Sequence, residues 1–122
     1  VANLPLFERE YGPAACAPTD HDDVFQWDFP NGWPPLFYIT IMGLTNYGYL
    51  EAAKRIAEKY LTLVTENFAK TNHLWEKYNI ANGSIEVQNE YEMPAMLGWT
   101  AGVFVFCANF VKHANNILKN AG

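Results

Sequence analysis

Within the ten residues Gln26-Trp27-Asp28-Phe29-Pro30-Asn31-Gly32-Trp33-Pro34-Pro35 stand two indoles, two side-chain amides, one carboxylate and three prolines. Proline removes backbone donors and fixes φ, so the stretch reads as a shaped loop rather than a helix or sheet interior. Indole faces bordered by polar groups suit a sugar ring, whose C–H bonds lie on the aromatic surface while its hydroxyls meet amide and carboxylate. Gln26, Trp27 and Asp28 are therefore candidate carbohydrate contacts, Gln26 and Asp28 alternatively pinning the loop itself. Trp33 reads as a core aromatic. Further on, Trp75-Glu76-Lys77-Tyr78-Asn79 sets a glutamate where a long helix gives way to a loop, and Glu90 follows within that loop. Taken alone, a glutamate beside a lysine is a surface residue, and Glu86 and Glu92 read as solvated charges. His21-Asp22-Asp23 are adjacent and cannot converge on one ion without distant ligands, so they read as a solvated turn. No metal site and no cofactor is expected.

These residues must be positioned by helices. Pro34 and Pro35 suit a first helical turn, where a missing N–H has no consequence. Residues 36–47 are then apolar nearly all round, as in a helix covered on both sides, and Gly48 is the expected stop. A second helix starts near Tyr49 and runs to about Trp75. Along it Leu50, Ala53, Ile56, Ala57, Tyr60, Leu61, Val64 and Phe68 recur at three- and four-residue steps opposite a charged face. Residues 79–93 lack a helical stripe and form a long loop, with short extended pieces expected at 85–87; loops of that length are functional or disordered. The last helix is expected from near Met96. A buried helix alternating with an amphipathic one is the pattern of concentric helical layers, so the fold class is all-α.

Composition excludes several partners. A net charge of −5 with eight basic residues offers no basic face to nucleic acid or to an anionic membrane surface. The apolar runs fall short of the roughly 20 residues that span a bilayer. Cys16 and Cys107 are far apart in sequence and read as reduced packing residues.

The motif at 26–35 resembles a signature of the trehalase family of glycoside hydrolases. Glu76-Lys77-Tyr78-Asn79, then Asn89-Glu90-Tyr91-Glu92, then Gly98-Trp99-Thr100-Ala101-Gly102-Val103 resemble, in the same order, that family's E-K-Y-N/D, G-E-Y and G-F-G-W-T-N-G-V patterns. Here residues 84–89 replace a glycine run, Leu97 stands for the aromatic and Ala101 for the asparagine. The resemblance implies an (α/α)6 barrel, or α/α toroid, of which residues 1–122 are the C-terminal part of a single catalytic domain, as helical hairpins with a long active-site loop. It implies inverting hydrolysis of an α-glycosidic bond, that of α,α-trehalose, to two glucose molecules. Glu76 matches the general base, Glu90 a glutamate that binds a sugar hydroxyl, and Trp99 the family's G-W-T at the start of an inner helix. Tyr78 and Asn79 would hold Glu76 and its water. The aspartate general acid is expected upstream of Val1, so the chain by itself is expected to be inactive. Its expected partners are a disaccharide and the N-terminal part of the same barrel, with no nucleic acid and no membrane. Two alternatives stay open: a related α/α-barrel glycosidase acting on another α-glucoside, a mannoside or mannosylglycerate, and a non-catalytic sugar-binding helical module.

Overall fold

The computed structural model describes residues 2–18, 25–95 and 98–120. His21-Asp22-Asp23 and the expected start of the last helix at Met96 lie outside them. In order come α1 (Leu4–Phe7), β1 (Glu8–Arg9), β2 (Gly12–Pro13), β3 (Asn31–Gly32), α2 (Pro34–Asn46), α3 (Leu50–Thr71), β4 (Tyr78–Asn79) and α4 (Gly98–Asn120). The described chain is all-α apart from two antiparallel ladders, β1 with β2 and β3 with β4.

Local chemistry sets the helix ends. Trp33 caps α2 in an extended conformation and Pro34 and Pro35 fill its first turn, as the sequence requires. At the other end Gly48 takes φ +82°, and Tyr49 N–H and Gly48 N–H donate to the carbonyls of Leu44 (2.8 Å) and Thr45 (3.0 Å), a glycine-dependent Schellman closure. α3 stops earlier than expected, at Thr71 rather than Trp75, because Asn72 turns into the left-handed region at φ +56°. Asparagine tolerates that conformation, and it releases residues 73–77 from the helix.

α3 lies between the other two long helices and packs on both, while α2 also touches α4. Phe37, Ile41, Ala53, Ile56, Ala57, Tyr60, Leu63, Val64, Val103 and Cys107 form their shared core. Of the stripe read on α3, Ala53, Ile56, Ala57, Tyr60 and Val64 are buried, Leu50 and Leu61 are partly covered and Phe68 is 45% exposed, while Glu51, Arg55, Glu58 and Glu66 on the charged face are open to solvent. α2 differs from the expectation of a helix covered on both sides: Phe37 and Ile41 are buried, whereas Ile39 is 62% exposed and Tyr38 stands half-exposed against Phe106 of α4. Apolar residues encircle α2, but among the described residues only one side of it has helices to pack on.

The extended pieces expected at 85–87 are not strands. The pairing is made instead by Asn31 opposite Asn79 and Gly32 opposite Tyr78, continued by Ile80 N–H to the Pro30 carbonyl at 3.0 Å. The Ser84 carbonyl accepts from Asn79 N–H at 2.9 Å, and residues 86 and 88 are tied down by two buried asparagine side chains. Asn31 Nδ2 donates to the carbonyls of Gln26 (2.8 Å) and Gln88 (2.7 Å), and its Oδ1 accepts from Gln88 N–H at 3.0 Å. Asn79 Nδ2 donates to the Glu86 carbonyl at 2.9 Å, and its Oδ1 accepts from the N–H groups of Ala81 and Asn82. A β-carbon at residue 32 would collide with the Ile80 side chain, so only glycine lets the two backbones approach.

A charge clasp ties the N-terminal segment to α3. Arg55 donates through Nε and Nη2 to the two carboxylate oxygens of Glu8 at 2.8 Å each, and Lys59 donates to Glu8 and to the Arg9 carbonyl at 2.7 Å each. The Arg55 hydrogen bonds outweigh burial and, with Lys59, hold the Glu8 carboxyl down at about 2.

Glu8 is depressed on folding, so its stabilisation is complete above its ordinary value of 4.5 and is lost as pH falls through about 2. Arg55 is half-exposed, which limits the gain. Glu8→Gln is expected to cost about 1–2 kcal/mol at neutral pH, the difference from the parent chain closing as the solution is acidified over that window; urea unfolding at a series of pH values measures it. Asn31→Ala removes a buried amide serving three backbone groups and is expected to cost about 2–4 kcal/mol in the same assay, with altered tryptophan emission as Trp33 loses its tether.

Candidate active site

The segment after α3 is held by its backbone before any side chain reaches the site. Trp75 N–H donates to the Tyr78 hydroxyl at 3.0 Å, and Trp75 pairs with Ala95 in a single antiparallel bridge. From the first turn of α4, Thr100 Oγ1 donates to the Trp75 carbonyl at 2.6 Å and Trp99 Nε1 to the Glu76 carbonyl at 3.1 Å. Thr100 is in turn tied to α3, its carbonyl accepting from the Tyr60 hydroxyl at 3.1 Å. Burial pushes the Tyr60 and Tyr78 hydroxyls up from their ordinary values, so both stay protonated.

So anchored, Glu76 turns inward and is 5% exposed. Among the described residues it is the one buried acid. Its Oε1 accepts from the Tyr91 hydroxyl at 2.6 Å and its Oε2 from Lys77 Nζ at 2.9 Å. Lys77 is wholly buried, its ammonium 4.9 Å from the centroid of Trp33 and 5.1 Å from that of Tyr91. Such placements over aromatic rings are electrostatically favourable and gain strength when desolvated. Trp33 stacks on Trp27 with centroids 4.0 Å apart and planes 12° from parallel, and meets Trp99 edge-on at 5.9 Å. A continuous series thus runs from the Glu76 carboxylate through the Lys77 ammonium and the buried Trp33 to Trp27, which is 47% exposed. The carboxylate bound at its hydroxyl pushes Tyr91 up to about 12, so it remains a donor at ordinary pH.

The other expected residues divide by what they touch. The Gln26 carbonyl accepts from Asn31 and, at 3.2 Å, from Trp33 Nε1, while its side-chain Oε1 is buried with no hydrogen-bond partner among the described residues. Asp28 is engaged within its own loop: Oδ2 accepts from Phe25 N–H at 3.0 Å, and Cys16 Sγ lies 3.9 Å from Oδ1. Tyr78 and Asn79 act on backbone, the former through Trp75 and the latter through the ladder and the 79–82 turn. Glu90 is exposed on the loop, next to the Tyr91 that reaches Glu76. Lys77 and Tyr91 are the contacts that reading by residue type passes over, and Asn31, read there as one of the polar groups bordering the indoles, serves backbone instead. Adjacency of glutamate and lysine at a helix-to-loop boundary was the available signal for Lys77; nothing in the spacing marks Tyr91 over Glu90. An apolar hollow of about 310 Å³, lined by Pro35, Tyr38, Trp99, Gly102, Val103 and Phe106, adjoins this array between α2 and α4.

The family model for trehalase matches residues 5–112. A periplasmic trehalase of Xanthomonas campestris pv. campestris (strain B100) is 38% identical over 98 residues, covering 80% of this chain and 17% of the relative. A periplasmic trehalase of Escherichia coli (strain SMS-3-5 / SECEC) is 42% identical over 79 residues, 64% of this chain and 14% of the relative. The structure of neutral trehalase Nth1 from Saccharomyces cerevisiae superposes with a TM-score of 0.73 and 28% identity, over 96% of this chain and 21% of that one. The chain therefore spans under a quarter of the length of each of these relatives. Its three-helix frame has the all-α fold that the motifs imply, a part of an (α/α)6 barrel, and with 5–112 matched, the chain belongs to the trehalase family.

Proposed function

We propose that the chain is the C-terminal part of a single α/α-barrel catalytic domain, and that the whole protein hydrolyses α,α-trehalose to two glucose molecules with inversion. One observation carries this reading: the buried Glu76 carboxylate, fixed through its backbone to α4 and joined through Lys77 and Trp33 to the exposed indole of Trp27. In this reading Glu76 is the general base. Each carboxylate oxygen keeps a second lone pair beyond its bond to Tyr91 or Lys77, so a water can be held and deprotonated without either bond breaking. Trp27 offers its open face to a glucose ring, Trp99 edges the same array, and Gln26 brings an amide oxygen that lacks a partner among the described residues. Asp28 keeps that loop in shape, and Glu90 reaches from its loop to a sugar hydroxyl. The general acid, contributed by the rest of the barrel, stands roughly 6.5–9.5 Å from Glu76, the gap that leaves room for water on the far side of the sugar.

The rest of the barrel is also the proposed occupant of the uncovered apolar surface. Ile39, Tyr38 and Val105 are each at least 42% exposed, and a second apolar hollow of about 370 Å³ opens between α3 and α4 beside Phe68, Leu74 and Phe104. By itself the 122-residue chain is expected to bind an environment-sensitive apolar dye or to self-associate. A dye-silent monomer in light scattering would count against the fragment reading.

In the whole protein, Glu76→Gln is expected to lower kcat about a thousandfold or more while KM changes only a few-fold, since the amide keeps the shape but cannot take a proton. Near-parental turnover would remove Glu76 as base. The same preparation, followed by NMR, is expected to release one α- and one β-glucose per trehalose. Faster turnover of another α-linked disaccharide would move the reading to a related glycosidase, as the replaced residues 84–89 allow.

A further inference from the structure

We infer that Lys77 is a positioning residue that keeps the Glu76 carboxylate ionised and fixed in direction, and that Trp33 and Tyr91 form the cage that makes a buried ammonium possible there. The inference rests on the reading of Glu76 as general base.

An ammonium removed from water is costly unless it is paired and its remaining donors are satisfied. Lys77 is 0% exposed, and its partners among the described residues are one carboxylate oxygen, at 2.9 Å, and two ring faces, at 4.9 and 5.1 Å. As packing alone, this is a poor use of the space. Apolar side chains at both 76 and 77 would fill the space without the desolvation, and replacing a whole buried ion pair in that way is often neutral or stabilising. What an apolar side chain at 77 alone would not do is oppose the charge on Glu76. A carboxyl withdrawn from water, without a counter-charge, takes up its proton at higher pH, and a protonated Glu76 cannot act as a base.

The geometry also fixes direction. Lys77 holds Oε2 and Tyr91 holds Oε1, so the carboxylate plane is gripped at both ends. The compact ammonium matters, because it sits near two rings at once where the planar fork of an arginine would have to stack on one. Among the described residues, the charged and titratable groups facing the carboxyl are Lys77 on its own segment and, from the 80–95 loop, Tyr91 with Glu90 acting on it. α4 presents Trp99 and Thr100 and the 25–33 loop presents Trp33, none of which titrates in the working range.

The test compares kcat/KM against pH for trehalose in the whole protein, for the parent, Lys77→Met, Lys77→Arg and Glu76→Gln. Lys77→Met is expected to move the acidic limb upward by about one unit or more, lowering activity about tenfold on that limb and restoring it to within a few-fold above the new midpoint. Its thermal midpoint should fall at neutral pH and recover part of the loss on acidification, because the carboxyl left buried without its counter-charge is relieved by protonation. Lys77→Arg is expected to leave the limb near its parental position while lowering kcat. If Lys77→Met does not fold, Lys77→Gln carries the same expectation for the limb. An acidic limb that stays put in the neutral variant while Glu76→Gln is inactive would overturn the inference and leave Glu76 as base. Parental turnover in Glu76→Gln would overturn both.

Discussion

A ladder two residues long carries the organisation of this chain. Asn31 faces Asn79 and Gly32 faces Tyr78, and through those pairs the proline-rich loop that bears two indoles is brought beside the segment that bears Glu76. Two-stranded pairings of this size have little stability of their own. Here each strand contributes a buried asparagine whose amide does the work of further strand residues, satisfying backbone groups at 26, 81, 82, 86 and 88. Buried amides that are fully partnered specify one arrangement, because any slip in register would strand several polar groups together. The ladder is therefore small in area and large in consequence.

The helices were legible because their signals are local and redundant. α3 shows its stripe over many turns, and Pro34-Pro35 and Gly48 mark the bounds of α2 by conformational preference alone. The end of α3 was misread because the apolar residues Leu74 and Trp75 continue a plausible stripe; what stops the helix is one asparagine in a left-handed conformation, which asparagine adopts in only some of its settings. The strands at 31–32 and 78–79 were not legible at all. Their pairing joins residues far apart in the chain, and neither shows the alternation that marks a strand in sequence.

The same division runs through the site. Motif likeness singled out Glu76, Trp99, Trp27 and their neighbours, and the fold gathers Glu76, Trp99, Trp33 and Trp27 into one contiguous array. Direction was not readable. Sequence places Lys77 beside Glu76 but does not say that its side chain turns inward and lies over Trp33, and motif likeness singles out Glu90 although its neighbour Tyr91 is the one that touches Glu76. Asp28 was read as either a sugar contact or a loop pin, and its observed partners, Phe25 and Cys16, belong to its own surroundings. Side-chain direction depends on backbone torsions that long-range pairing imposes, so it is the last property to become visible from residue types.

Trp99 and Thr100, at the very start of α4, grip the backbone of residues 75 and 76. A nonsense codon falling just ahead of Gly98 would remove α4 and with it both moorings, leaving the backbone that carries the preceding carboxylate untied from the helical frame at those two points. Genetic truncation in this stretch would thus behave like a lesion at the centre of the site, despite leaving every residue of the three upstream motifs in place.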